Sequence, residues 1–93
     1  MELQEEISNK LKQAGYIDYH FYTKQEWAKR EEKIFREADL TLTAEGTLNY
    51  LLNGHIKPGN GDITWFDLVS IAKKHGYDLY QGFSWSWHFL RQE

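Results

Sequence analysis

Tyr77-Asp78-Leu79-Tyr80-Gln81-Gly82-Phe83-Ser84-Trp85-Ser86-Trp87-His88-Phe89-Leu90 is the stretch whose reading decides the fold. Phe83, Trp85, Trp87 and Phe89 alternate with Ser84, Ser86 and His88, and a period of two marks a β-strand with one apolar face. The segment 77–90 therefore reads as one strand that organises the core. Its tryptophan face points inward, and Ser84, Ser86 and His88 lie on the opposite, wetter face. Gly82 reads as a bulge or bend within it.

Working outward, the residues before this strand read as a helix. Thr64 and Asp67 have capping-box spacing, in which a hydroxyl takes the N3 amide and the N3 carboxylate reaches back. Trp65, Phe66, Leu68, Val69, Ile71 and Ala72 cover more than one face, so this helix is expected to be the most buried. Lys73, Lys74 and His75 suit the negative end of its dipole, and Gly76 ends it. The preceding stretch, residues 55–62, holds the only proline and two glycines and reads as a loop.

The same punctuation recurs near the N-terminus. Leu3, Ile7, Leu11 and Ala14 form the apolar stripe of an amphipathic helix that stops at Gly15. A β-branched and aromatic run, residues 16–22, follows as a strand with Ile17, Tyr19 and Phe21 on one face. Both Gly15-Tyr16 and Gly76-Tyr77 thus pass from helix to strand, which suggests two helix–strand units whose strands pair, most simply antiparallel. Thr23 and Glu26 form a second capping box, opening a charged helix to about Ala38 with Trp27, Ile34, Phe35 and Ala38 as its apolar stripe. Glu26–Arg30 and Glu32–Arg36 are spaced as i,i+4 pairs on its wet side. Between these units, Leu40 and Leu42 suggest a short strand. Residues 44–52 read as a helix capped by Thr43 and stopped by Asn53-Gly54, with a hairpin turning at Glu45-Gly46 as the other option. The expected architecture is a single α+β domain over residues 1–93, with about four helices on a small sheet.

Composition narrows the classes of function. Aromatic residues make up 16% of the chain, and each ring can bury roughly 150–250 Å², so a short sequence can still build a core. The net charge is −3, against the basic face expected of a nucleic-acid binder. There is no cysteine, which excludes disulfide and thiolate chemistry. No apolar run approaches the roughly 20 residues of a membrane span. The acidic opening, Met1 to Glu6, lacks the basic-then-apolar order of a secretory signal. A cytoplasmic protein is expected.

Sequence signatures of catalysis fall short. His20, His55, His75 and His88 lack the spacing of metal ligands, so no metal or cofactor is expected. Gly82-Phe83-Ser84-Trp85-Ser86 has Ser86 where a nucleophile elbow needs its second glycine. Gly54 to Gly59 has the spacing of a phosphate loop, but Asn60 and Gly61 replace the required Lys and Ser/Thr. If the two aromatic strands pair, His20 and His88 could meet near Asp18, which is the one arrangement that would suggest a small enzyme.

The expectation that best fits these readings is a non-catalytic protein-binding module: a small intracellular adaptor, inhibitor or immunity-type protein. In composition alone the chain resembles bacterial immunity proteins and phage-encoded inhibitors, a likeness carried by no motif. Tyr19, Tyr22, Tyr50 and Tyr80 are the candidate contact residues, because a phenol tolerates water while offering apolar area. His20 and His88 join them as candidates. Acidic side chains, among them Glu2, Glu5, Glu6, Glu26, Glu31 and Glu32, would steer a basic protein partner. The sequence also allows a homodimer, should the aromatic strand lie at a sheet edge. The alternative is a sugar-, nucleotide- or other small-molecule-binding domain that uses its aromatics and the 55–62 loop.

Overall fold

A computed structural model describes residues 1–93. Four helices and a four-stranded antiparallel sheet make up the fold, in chain order α1 (Glu2–Gln13), β1 (Tyr19–Thr23), α2 (Lys24–Ala28), β2 (Leu40–Ala44), α3 (Gly46–Leu52), α4 (Trp65–Lys74), β3 (Tyr77–Gln81) and β4 (Ser86–Arg91). The strand order is β1-β2-β4-β3. No helix is long and apolar enough to cross a membrane.

The aromatic segment, read as one strand, is a hairpin. Residues 82–85 turn the chain, and β3 and β4 pair antiparallel with Leu79 opposite Phe89 and Tyr80 opposite His88. Gly82 stands at the turn and donates its N–H to the Ser86 carbonyl. A bend signal and a reversal signal look alike in sequence, because glycine permits both. The hairpin puts β4 inside the sheet, between β2 and β3. The edges are β1 and β3, so the two strands expected to pair after Gly15-Tyr16 and Gly76-Tyr77 are the two farthest apart.

One face of the sheet carries the main core. Phe21, Leu42 and Trp87 form one cross-strand row on that face, and Leu40, Phe89 and Leu79 form the next. Against them pack Leu3, Ile7 and Leu11 of α1, Leu48, Leu51 and Leu52 of α3, and Leu68, Ile71 and Ala72 of α4. Local signals set these helices. The Thr64–Asp67 capping box forms at the start of α4, and Gly15 and Gly76 adopt left-handed φ of 87° and 84° just past their helices. Helix α4 is less enclosed than expected, since Phe66 is 78% exposed. Strand β1 begins only at Tyr19, leaving Ile17 85% exposed and off the face assigned to it. Strand β2 followed directly by α3 excludes the hairpin reading of residues 44–52, and Glu45 takes the N-cap position expected of Thr43.

The opposite face is covered by the chain between β1 and β2. The Thr23–Glu26 capping box forms, but α2 ends at Ala28 instead of running to Ala38. Trp27 is fully buried and lies outside the main core cluster. Its indole N–H donates to the Ile34 carbonyl at 2.8 Å, and Arg36 donates to the Arg30 carbonyl at 3.1 Å, closing residues 29–38 into a compact loop. Phe35 has a φ of 49°, an uncommon conformation for a bulky residue. It is held there by stacking on His88 at 4.8 Å and Tyr80 at 5.6 Å. The expected helical ion pairs do not form: Glu26 caps Thr23, and Arg30 pairs with Glu32. A continuous helix would carry Phe35 away from the sheet, and burying both rings overrides local helix propensity.

This second layer hangs on Trp27. Trp27→Ala is expected to destabilise the domain by about 3–5 kcal/mol, the usual cost of truncating a buried Trp, as read from urea unfolding. Trp27→Phe, which keeps a ring and loses the bond to Ile34, should cost less than Trp27→Ala.

Candidate binding cleft

The sheet face under Trp27 carries a polar row. Tyr22, Thr41, His88 and Tyr80 stand side by side across all four strands, and His20, Thr43 and Ser86 form the neighbouring row. The expected wet face is dry at its centre: Thr41, Ser86 and His88 are buried. Buried polar groups must find partners, and these do. His88 Nδ1 lies 2.9 Å from Thr41 Oγ1, and His88 Nε2 lies 2.9 Å from Ser86 Oγ. Ser86 Oγ also accepts the Phe83 N–H at 2.9 Å. With that lone pair taken, Ser86 can donate its hydroxyl to Nε2 while Nδ1–H donates to Thr41. The imidazole ring lies between Trp27, 5.3 Å away, and Phe35.

Burial sets the protonation state of this ring. Desolvation pushes the His88 pKa down to about 4 from its ordinary 6.5, opposed by the attraction of Glu37. His88 is therefore neutral at pH 7. Ser86 and His88 have the separation of a nucleophile and its base, but neither exposes surface to a substrate. Asp18 and His20 are exposed around the edge strand, and β2 runs between β1 and β4. The strands of His20 and His88 thus do not pair with each other. No three His, Asp or Glu side chains gather where they could hold a metal ion.

The largest cleft opens beside this buried row. It has a volume of about 530 Å³ and lies where β1, β2, the 82–85 turn and the start of α3 meet. Tyr22, Tyr50 and Trp85 supply aromatic walls, while Ala44, Gly46 and Asn49 line it between them. Trp85 packs edge-on against Trp27 and stacks on exposed Phe83 at 4.9 Å. Both rings were expected on the core face with Trp87. The turn breaks the alternation, so they end beside the cleft.

Hydrogen bonds hold the cleft open. The Ser84 carbonyl accepts from Asn49, Asn53 and Gln81 at 3.1, 2.7 and 3.2 Å, tying the hairpin turn to α3. On the other side Arg30 makes a two-pronged pair with Glu32 at 2.9 and 3.0 Å. These bonds raise the Arg30 pKa and hold the Glu32 carboxyl below its ordinary range. Arg30 also donates to the Tyr22 hydroxyl and lies over the Tyr22 and Trp27 rings at 5.0 and 5.5 Å.

Of the residues singled out in sequence, Tyr22 and Tyr50 line this cleft, and Tyr50 is 57% exposed. Tyr19 and His20 line a groove of about 330 Å³ that shares Tyr22, Thr43 and Glu45 with it. Tyr80 is elsewhere, stacked on Phe35, and His88 is enclosed. Sequence reasoning missed Asp18 and Glu45 as neighbours, and Trp85 as a wall. Strand pairing on both sides of β2, with the 82–85 turn, brings them together. Neither family models, nor curated proteins, nor solved structures match this chain.

The dry row makes two outcomes specific. The unfolded chain binds the His88 proton near pH 6.5 and the folded chain only near pH 4, so stability falls as pH drops through that window. Between pH 7.5 and 5 the loss should be about 2 kcal/mol, measurable by urea unfolding, and His88→Gln should flatten that slope. Gly82 has the second role. A Cβ there would stand 2.5 Å from His88 Nε2 and 3.0 Å from Ser86 Oγ. Gly82→Ala should therefore destabilise by about 1–3 kcal/mol through overpacking.

Proposed function

We propose that this chain is a non-catalytic protein-binding module, an intracellular adaptor, inhibitor or immunity-type protein whose partner seats at the aromatic cleft. The observation that carries this reading is the cleft's combination of exposed rings with a fixed frame. Exposed Tyr50 and half-buried Trp85 line one opening, and exposed Phe83 stacks on Trp85. Tyr and Trp dominate interface hot spots because they bring large area at little entropic cost. The apolar surface continues past Tyr50: its ring meets His55 edge-on at 6.1 Å, and His55 and Ile56 lie beside exposed Phe66. A band of this kind suits a protein surface better than a small ligand. The closed Ser86–His88 pair offers a substrate no access, which favours binding over catalysis.

A second reading rests on a different opening. A groove of about 420 Å³ beside the 55–62 loop is lined by Ile56, Pro58, Trp65 and Phe66, rings on which a sugar or base could stack. Tryptophan fluorescence titrated with monosaccharides and nucleotides addresses it, and a flat response in every titration removes it.

For the main reading, the test is Tyr50→Ala, a substitution at an exposed position that should leave unfolding unchanged. A partner is captured from the native host at low salt, purified, and its affinity measured by calorimetry. Tyr50→Ala should weaken that affinity about 10- to 30-fold, the effect of an interface anchor. Equal affinity for Tyr50→Ala and the unaltered chain would remove the cleft from the interface.

A further inference from the structure

We infer that the cleft receives a lysine or arginine side chain from a basic segment of the partner protein, with Glu45 and Asp18 as its counter-ions. This rests on the cleft being the docking site, and it follows from which charges there are already paired. Arg30 and Glu32 neutralise each other, and three of the five Arg30 N–H donors are already engaged by Glu32 and the Tyr22 hydroxyl. Glu45 has no such partner. It lines both the main cleft and the adjoining groove and takes part in none of the ion pairs of the molecule.

Asp18 adds a second free carboxylate on the same rim. The Glu45 N–H donates to the Asp18 carbonyl at 3.0 Å, which places the two residues side by side at the end of the β1–β2 ladder. Asp18 Oδ2 lies 3.7 Å from where a Cβ on Gly46 would stand, so this carboxylate flanks the Gly46 wall of the cleft. With the Arg30–Glu32 pair cancelling, the titratable groups left across both openings are Asp18, Glu45 and the imidazole of His20, besides the phenols of Tyr19, Tyr22 and Tyr50. The local charge is negative.

The walls suit the same guest. A lysine or arginine presents an apolar stem below a charged head. Its stem would lie between Tyr50 and Trp85, and its head at the carboxylate rim. Aromatic faces attract cations through their quadrupole, and the molecule already uses that chemistry where Arg30 lies over Tyr22 and Trp27. An acidic guest would meet Glu45 and Asp18 with no free cation to offset them. A purely aliphatic guest would cover the rings but strip water from two unpaired carboxylates.

The test uses the full chain, isotope-labelled, and three blocked heptapeptides with Lys-Arg-Lys, Glu-Asp-Glu or Leu-Val-Leu at the centre. Amide and indole NMR shifts are followed. The Lys-Arg-Lys peptide should shift Gly46, Asn49 and the Trp85 indole saturably, and the other two should not. Glu45→Gln and Asp18→Asn, both at exposed positions, should each weaken that binding about two- to fivefold, as for exposed ion pairs. The double variant should weaken it further, and raised salt should weaken it too. Shifts confined to α1, or equal binding by the aliphatic or acidic peptide, would overturn the inference and leave the cleft as a docking site of other chemistry. Cleft shifts that neither carboxylate variant weakens would overturn it as well. No shift with any peptide overturns the inference alone if Tyr50→Ala still weakens the captured partner, and overturns the docking site as well if it does not.

Discussion

The neutral His88 imidazole, bonded on both sides to hydroxyls and covered by Trp27 and Phe35, is the constraint around which the second half of this structure is arranged. A four-stranded antiparallel sheet can leave one face in water. Here the centre of the second face is covered as well, so the polar groups there have to be satisfied from within. Two hydroxyls and one imidazole do that without a charge. A carboxylate in place of either hydroxyl would favour the protonated ring and bring a charge into a dry layer, at a desolvation cost that Coulomb attraction often fails to recover.

The cover over that row has consequences at the surface. Phe35 can reach His88 only if α2 stops early and the chain folds back, and that return also carries Arg30 over Tyr22 and Phe35 onto Tyr80. The hairpin turn is shaped from the same side. Gly82 must pass close above His88 and Ser86, where a side chain does not fit, and the following residues then swing Trp85 against Trp27. The walls of the cleft are thus the outer ends of the buried layer. Tyr22 belongs both to the row that contains His88 and to the cleft.

Elements specified by neighbours in sequence were legible. Both capping boxes, the stripe of α1, the glycine stops at Gly15 and Gly76, and the Leu40–Leu42 alternation depend on residues within a turn or two of one another. The misreadings share one cause: each needed knowledge of what covers the sheet. Residues 29–38 carry a helical charge pattern, yet Phe35 leaves the helix path to pack its ring on His88 beside Trp27. Ser86 and His88 alternate with Trp87 and Phe89 as a wet face would, and the alternation is real, but the centre of that face is dry. The hairpin hid inside an aromatic run because Gly82 has neither proline nor asparagine beside it to announce a reversal. For the site, the phenol argument reached Tyr22 and Tyr50. It had no means of reaching Asp18, Glu45 or Trp85, whose proximity is a product of strand pairing and of the turn.

Rigidity links the fold to the proposed binding role. Binding costs less when the receiving groups are already ordered, and the cleft is braced on both sides by bonds that do not involve a guest. Asn49, Asn53 and Gln81 converge on the Ser84 carbonyl and fix the turn against α3. Arg30 is fixed by Glu32 below and by two aromatic faces beside it. The exposed rings of Tyr50 and Phe83 gain no comparable bond within the molecule. An interior whose polar groups are nearly all paired, set beside a rim whose carboxylates and rings are free, divides the chain's chemistry in two. The Ser86–His88 pair, which has the geometry of reactive groups, spends it on stability. On the rim, Glu45 and Asp18 stand outside every ion pair of the molecule and Tyr50 is exposed.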